Sequence, residues 1–173
     1  MELEIGMKKA KVLRLANRLA PVQKQKVENF FQHDRDGKIS HENDLAILNS
    51  FFDGTNKVKM PIPITGEGLI LDNASCCHHL NKDRTITWDT LSDYDNDGYA
   101  DEHVMGENQP RTKVPGSNIR SFVDGWIGID TNIDGVPEKK GMHRMGAFVI
   151  DNHYFIDDDN SFEPEFMKKN IFY

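Results

Sequence analysis

Hydrophobic residues recur at helical spacing through the first part of the chain. Between residues 7 and 31 they lie three or four positions apart, with lysines and arginines between them. The apolar positions are Val12, Leu15, Ala16, Leu19, Val22, Val27 and Phe30. The pattern predicts one long amphipathic helix. A kink or break is expected near Ala20, because Pro21 cannot donate a backbone hydrogen bond inside a helix.

The hydrophobic period changes from helical to strand-like in the rest of the chain. A short helix over residues 41–52, with Asn43 or Asp44 as its N-cap, comes first. A connection rich in Pro and Gly follows over residues 53–68. Apolar and polar residues then alternate in several short segments, which predicts strands. The strand candidates are 68–72, 84–91, 120–130, 147–151 and 153–157.

The order of these elements predicts an α+β fold, in which the long N-terminal amphipathic helix packs on an antiparallel sheet. The last two strand candidates meet at Asp151-Asn152, which favours a tight hairpin turn. With 173 residues, the chain is expected to be a single domain, 1–173. Residues 7–52 would form its helical part, and residues 68–160 the sheet with long Asp-rich loops.

Charge is distributed unevenly along the chain, whose formal net charge is -7. Seven basic residues and one acidic residue lie between Lys8 and Phe31, whereas fourteen acidic and six basic residues lie between Asp93 and Asn160. The acidic half argues against nucleic acid as a partner. The basic helix face is interpreted as a solvated face, with an acidic partner or a membrane surface as the alternative.

Two adjacent cysteines, Cys76 and Cys77, form no conventional disulfide framework. The N-terminus lacks the apolar core of a signal peptide, and no run of apolar residues approaches 18. The sequence therefore leads us to expect a cytosolic protein, or a chain from which a targeting segment has been removed.

The segment DYDNDGYADE, residues 93–102, contains five carboxylates and no basic residue. Oxygen ligands recur at alternate positions, and Gly98 permits a tight turn, as in the first nine positions of a calcium loop. An ion at the centre would remove the repulsion among the acids. The predicted ligands are Asp93, Asp95, Asp97, the carbonyl of Tyr99, and Asp101.

Residues 130–138 repeat this pattern, with Asn at the third position and Glu at the ninth. The predicted ligands are Asp130, Asn132, Asp134, the carbonyl of Val136, and Glu138. Both segments lack the bidentate Glu that ends an EF-hand loop, because their twelfth positions are Val104 and Gly141. They resemble the short calcium loops of thrombospondin type 3 repeats. A third candidate, residues 32–40, resembles a dockerin half-repeat, but a polar turn before a helix is the favoured interpretation there.

The segment SCCHHL, residues 75–80, offers a different chemistry. A Cys–His hydrolase would pair Cys76 or Cys77 with a distant histidine. Candidate histidines for this role are His103, His143 and His153. No CxxC or HxxxH spacing accompanies the segment, so the favoured interpretation is a pair of partly buried thiols or a strained vicinal disulfide.

The order of elements resembles the globular part of type IV pilin-like proteins, including type II secretion pseudopilins. An amphipathic helix ends in VENFFQHDRDGKIS, antiparallel strands follow, and WIGIDTNIDGVPEKKGMHRMGAFVID comes near the C-terminus. The residues that match the late segment of that family are Asp130, Asn132, Asp134, Gly135, Pro137, Gly141 or Gly146, and Phe148.

This resemblance implies a non-catalytic structural subunit of an extracellular or periplasmic filament or secretion assembly, stabilised by Ca²⁺. It implies other pilin-like subunits as partners, contacted through the apolar helix face around Leu15, Leu19 and Val22. It also implies an inner-membrane anchor before assembly. The chain lacks the family's apolar stretch with an early Glu, so this anchor would have been removed. The alternatives are a secreted calcium-dependent adhesion module of dockerin-like type, and the Cys–His hydrolase.

Overall fold

The computed structural model describes residues 2–33, 37–111 and 119–157. Within them the helices are α1 Lys9–Ala16, α2 Pro21–His33 and α3 Glu42–Phe52. The strands are β1 Gly68–Leu71, β2 Ala74–Leu80, β3 Ile86–Ser92, β4 Glu102–Pro110, β5 Arg120–Asp130, β6 Lys139–His143, β7 Gly146–Ile150 and β8 His153–Asp157.

The predicted fold class, a long N-terminal helix packed on a sheet, is wrong. The N-terminal segment forms two short helices, α1 and α2, separated by a turn in which the Leu19 amide donates to the Ala16 carbonyl at 3.0 Å. The second helix begins at Pro21, because a proline at the first helical position needs no amide hydrogen. The described chain is mostly antiparallel sheet, nearly closed and barrel-like, with only short helices. No helix among the described residues has the length and apolar character to span a membrane.

All paired strands run antiparallel, in the order β1-β2-β3-β4-β5-β7-β8. The long strand β5 pairs with β7 through residues 120–122 and with β6 through residues 125–129. The predicted hairpin at Asp151-Asn152 is confirmed, since this dipeptide joins β7 to β8 and both residues have positive φ. Strands β2, β4 and β6 were not predicted.

The two faces of the sheet bury different groups of apolar side chains. Alternate residues of a strand point to opposite faces. On one face, Leu91 of β3 packs in a cluster with residues of all three helices, including Val12, Val27 and Leu48. On the other face, Ile86 packs with Phe122, Ala147 and Val149. Cys77 pairs with Asp89, two residues from Leu91 in β3, so Cys77 and Asp89 are on the face that the helices cover.

Candidate metal centres

Both acidic segments form hairpin loops at the same end of the sheet. The first Asp loop, residues 93–101, joins β3 to β4, and the second Asp loop, residues 130–138, joins β5 to β6. The register pairs Leu91 with His103 and His103 with Asp130. The two loops therefore belong to neighbouring hairpins, and they lie side by side at one end of the strands.

Backbone amides of the first Asp loop converge on its leading carboxylates. The Gly98 amide donates to Asp93 Oδ2 at 2.9 Å, and the Asp97 amide donates to Asp93 Oδ1 at 3.3 Å. The Tyr99 amide donates to Asp97 Oδ1 at 2.9 Å. Asn96 and Gly98 adopt positive φ values of 60° and 91°. The nine residues thus form one tight turn around the buried carboxylate of Asp93.

The second Asp loop repeats these contacts at the equivalent positions. The Gly135 amide donates to Asp130 Oδ2 at 2.9 Å, and the Asp134 amide donates to Asp130 Oδ1 at 3.3 Å. The Val136 amide donates to Asp134 Oδ1 at 2.9 Å. Ile133 and Gly135 take the positive φ values, 50° and 90°. The loops therefore share one backbone conformation, although only their Asp and Gly positions are alike in sequence.

The ninth position closes each loop onto its second residue. The Tyr94 amide donates to Asp101 Oδ2 at 2.7 Å, and the Thr131 amide donates to Glu138 Oε2 at 2.9 Å. As a result, carboxylate oxygens from three side chains lie within 4.8 Å of one another in each loop. The two groups are Asp93, Asp95 and Asp101, and Asp130, Asp134 and Glu138.

The remaining predicted ligands lie in the same loops but outside these groups. Asp97 is the one predicted carboxylate that does not join its group. The side chain of Asn132 and the carbonyls of Tyr99 and Val136 stay predicted ligands. Asp34 and Asp36, from the third candidate loop, lie outside the described residues.

The two leading carboxylates differ in their electrostatics. Burial alone would raise the pKa of Asp93, but hydrogen bonds from the Gly98 and Asp97 amides outweigh it and lower that pKa. At Asp130, burial dominates over the bonds from Gly135 and Asp134, and it raises the pKa to about 6. Ionisation of Asp130 therefore costs more free energy than ionisation of Asp93.

Each Asp loop also contacts a different part of the chain. The Met60 amide donates to the Gly98 carbonyl at 2.9 Å, and the Ala100 amide donates to the Val58 carbonyl at 2.8 Å. These bonds attach the first loop to the connection between α3 and β1. The second loop lies against α2, where Gly135 sits close to the helix, and it inserts Ile133 into the helical core.

A third potential metal centre is buried between α3 and the sheet. His41 immediately precedes α3, while Cys77 of β2 and Asp89 of β3 are direct cross-strand partners. One ligand atom from each lies within 4.8 Å of the others. All three residues are buried, with exposures of 5%, 2% and 7%. The strand register and the start of α3 together create this group.

Polar neighbours hold the Asp89 carboxylate in place. His103 Nε2 lies 2.9 Å from Asp89 Oδ2, and Asn43 Nδ2 donates to Asp89 Oδ1 at 3.2 Å. Burial opposes the charged form of His41, but the carboxylates of Asp44 and Asp89 outweigh it and hold the His41 pKa well above its usual range. Burial likewise opposes ionisation of Asp89, yet the charge of His41 and the hydrogen bond from His103 lower its pKa.

Of the predicted cysteine–histidine pairings, the structure places His143 in the lining of one cavity with Cys76 and Cys77. Cys77 lies beside His41, a residue that the sequence interpretation did not consider, and His103 contacts Asp89. Cys76 points to the opposite face of β2, where it accepts a hydrogen bond from Thr90 Oγ1 at 3.5 Å. Both cysteines are free thiols. Burial raises the pKa of both, to about 11 for Cys76, which disfavours the thiolate that a nucleophile needs.

No protein-family model, curated protein or solved structure matches this chain.

Proposed function

We propose that this chain is a non-catalytic calcium-binding domain of the extracellular space or the periplasm, in which each Asp loop binds one Ca²⁺. The observation that supports this best is the repetition of one loop geometry. Two hairpins with different sequences make the same backbone-to-carboxylate bonds, and each brings three carboxylates within 4.8 Å.

The donor set of each loop suits calcium rather than a smaller or softer ion. Ca²⁺ takes six to eight oxygen ligands and accepts irregular geometry and bidentate carboxylates. Three carboxylates supply up to six oxygens, and the predicted carbonyl ligands of Tyr99 and Val136 would add one to each loop. Without a cation, the clustered negative charges repel one another. A bound ion would turn this repulsion into attraction.

Calcium would act as a structural clamp between the helices and the sheet. The first Asp loop would attach the connection before β1, and the second would attach α2. An ion that binds only the folded state stabilises it by about 0.4 kcal/mol at its dissociation constant and by about 1.4 kcal/mol at ten times that concentration. Extracellular calcium modules bind in the 10⁻⁴ to 10⁻³ M range, which fits partly exposed loops of this kind.

The role of subunit in a filament or secretion assembly stays a prediction. Assembly through the N-terminal segment would have to use two short helices instead of one long helix. Of the apolar positions predicted for that contact, Val22 is 67% exposed, while Leu15 and Leu19 pack partly against the helical core. Val22 is therefore the position of that set most open to a neighbouring subunit.

Calorimetric titration of the full chain with CaCl₂, paired with thermal melts in excess EGTA and in millimolar CaCl₂, tests the proposal. We expect two Ca²⁺ per chain and a Tm several degrees higher in calcium, because each ion offsets the repulsion in its own loop. Asp95→Ala and Asp134→Ala should each remove one binding event and part of the rise in Tm. MgCl₂ should reproduce little of the effect, since Mg²⁺ demands near-ideal octahedral geometry.

Asp72→Ala is the matched control, because it removes an exposed acid from the turn between β1 and β2, outside both loops. Its calcium stoichiometry should equal that of the wild type. A titration without heat, together with identical melts in EGTA and calcium, would show that the Asp loops are solvated turns.

A further inference from the structure

We propose that His41, Cys77 and Asp89 bind a single transition-metal ion, with zinc as the best match, in the interior between α3 and the sheet. This site uses none of the proposed calcium ligands, although Asp130 of the second Asp loop lines the cavity beside it. Imidazole nitrogen, thiolate sulfur and carboxylate oxygen are the three ligand types that zinc takes in proteins. Calcium is a poor match, because it selects oxygen ligands only.

The distances among the three ligand atoms are close to those of a metal site. Zinc holds its ligands at about 2.0–2.3 Å, so neighbouring ligand atoms lie roughly 3–4 Å apart around it. Here the three atoms lie within 4.8 Å of one another, and His41 Nε2 is 3.7 Å from Asp89 Oδ1. A contraction of about 1 Å would therefore complete the coordination.

The buried ring of His41 has one nitrogen that could orient it for metal binding. Its Nδ1 atom has no hydrogen-bond partner among the described residues, although the side chain is only 7% exposed. Buried polar atoms are rarely left without partners. Asp44 Oδ1 lies 3.7 Å from this atom. If Nε2 bound the metal, a small rotation would let Nδ1 donate to Asp44, the carboxylate–histidine–metal arrangement common in zinc sites.

Space for a fourth ligand lies beside the cluster. A cavity of about 50 Å³ is lined by polar and charged residues, by Ile133 and Gly135 of the second Asp loop, and by apolar side chains of the helices and the sheet. The polar and charged lining residues are His41, Asp44, His79, Thr87, Asp89, His103 and Asp130. That volume holds an ion or a water molecule. His103 is placed either to orient Asp89 through their 2.9 Å contact or to become a ligand itself. Water or His103 would fill the fourth position.

Nucleophilic chemistry at the same cluster is disfavoured. Cys77 is 2% exposed, so a substrate carbonyl cannot reach its sulfur without opening the layer of helices. Burial also raises the pKa of the thiol, although its hydrogen bond with His41 acts in the opposite direction. A metal ion stabilises a buried thiolate directly, because its positive charge replaces the lost solvation.

Cobalt titration of the full chain tests the proposal. The protein is reduced with a phosphine and kept in millimolar CaCl₂, so that the Asp loops are occupied and only the buried site responds. Co²⁺ gives visible absorption bands, and a thiolate ligand adds a charge-transfer band in the near ultraviolet. We expect both to saturate at one Co²⁺ per chain, and one equivalent of Zn²⁺ to abolish them, since zinc binds such sites more tightly.

Two cysteine variants identify the thiolate. Cys77→Ser should remove the charge-transfer band and weaken Co²⁺ binding at least 10-fold, whereas Cys76→Ser, altered on the opposite face of the same strand, should leave both unchanged. His41→Gln should weaken Co²⁺ binding by a similar factor while keeping the thiolate. It serves as the second test if Cys77→Ser does not fold.

The site would be disproved by wild-type protein that binds Co²⁺ without a thiolate band, or by a band that survives Cys77→Ser. Either result would assign His41, Asp89 and His103 to a buried ion-pair network only. Neither would bear on calcium binding, which is measured by a different ion and by different variants.

Discussion

The two Asp loops have the same backbone bonds but different surroundings. In the first loop, the residue at the fourth position is an exposed Asn96, and the space around Gly98 is open. In the second loop, the fourth residue is Ile133, only 7% exposed in the helical core, and Gly135 lies against α2. One loop is mainly a turn, while the other is also part of the core.

This difference explains an unusual residue in the second loop. The fourth position has a positive φ, which Asn adopts readily and a β-branched residue such as Ile adopts only at a cost. Burial of the Ile133 side chain offsets this backbone strain. The shared Asp and Gly positions therefore specify the backbone, and the residues between them are free to serve tertiary packing.

The largest expected contrast is between the two motif glycines. Both have φ near +90°, so alanine strains the backbone at either position. At Gly135, an added Cβ would also lie 2.9 Å from Asn29 Cβ and from the Phe30 amide nitrogen. We expect Gly135→Ala to lower the free energy of unfolding by about 4 kcal/mol, against about 1–2 kcal/mol for Gly98→Ala.

Urea denaturation of both glycine variants in excess EGTA measures this contrast, with the wild type as reference. The use of EGTA separates packing from metal binding. Equal losses of unfolding free energy in the two variants would mean that the second loop does not pack against α2.

The residues at the fourth position should show a smaller contrast. Ile133→Ala keeps the strained backbone and removes buried apolar volume, so we expect a loss of about 3 kcal/mol. Asn96→Ala removes an exposed amide and should cost about 1 kcal/mol or less. The same urea experiment reports both values. If Asn96→Ala proved the more destabilising variant, the second loop could not be the one anchored in the core.

The pH dependence of the calcium-free protein should separate the two leading carboxylates. The pKa of Asp130 is raised from 3.8 to about 6, so the folded state binds its proton more tightly than the unfolded state. Its contribution to stability is therefore full below pH 4 and is lost as the pH rises to 6. The loss is on the order of 2 kcal/mol. Asp93 has the opposite sign, since its pKa is lowered and its contribution is lost as the pH falls below about 4.

Urea denaturation in EGTA from pH 3 to pH 7 gives the free energy of unfolding of the wild type and of each variant. The difference between the two curves isolates the contribution of one carboxylate from those of other titrating groups. Asp130→Asn should remove a fall in stability between pH 4 and pH 6, and Asp93→Asn should remove a rise at lower pH. Difference curves with the same slope would contradict the unlike environments of the two loops.

The turns of the Asp loops follow from the sequence because their contacts are local. Each hydrogen bond within these loops spans seven residues or fewer. Gly98 and Gly135 then permit the turn that the pattern requires. The helical pattern also identified the residues of α1 and α2, and Pro21 predicted a kink or break near Ala20, but the pattern could not decide that two separate helices would form with a turn between them. That turn depends on how each helix packs.

The strands that were missed lack the usual strand composition. In β4, for example, Asn108 is fully buried and its side chain accepts a hydrogen bond from Trp88 Nε1 at 2.7 Å. A polar side chain is stable there because Trp88 of β3 and the Met145 carbonyl both supply hydrogen-bond partners. Hydrophobic alternation within one segment cannot predict such pairing between segments. The extent of the sheet was therefore underestimated.

By itself, the sequence determined the two acidic loops, since nine consecutive residues contain both the carboxylates and the turn that gathers them. Only the tertiary structure decided that His41, Cys77 and Asp89 meet. His41 is 48 residues from Asp89, and their approach depends on the β2–β3 register and on where α3 packs. Local hydrogen bonds are encoded in neighbouring residues, whereas contacts across a sheet and a helix form only when the whole core is buried.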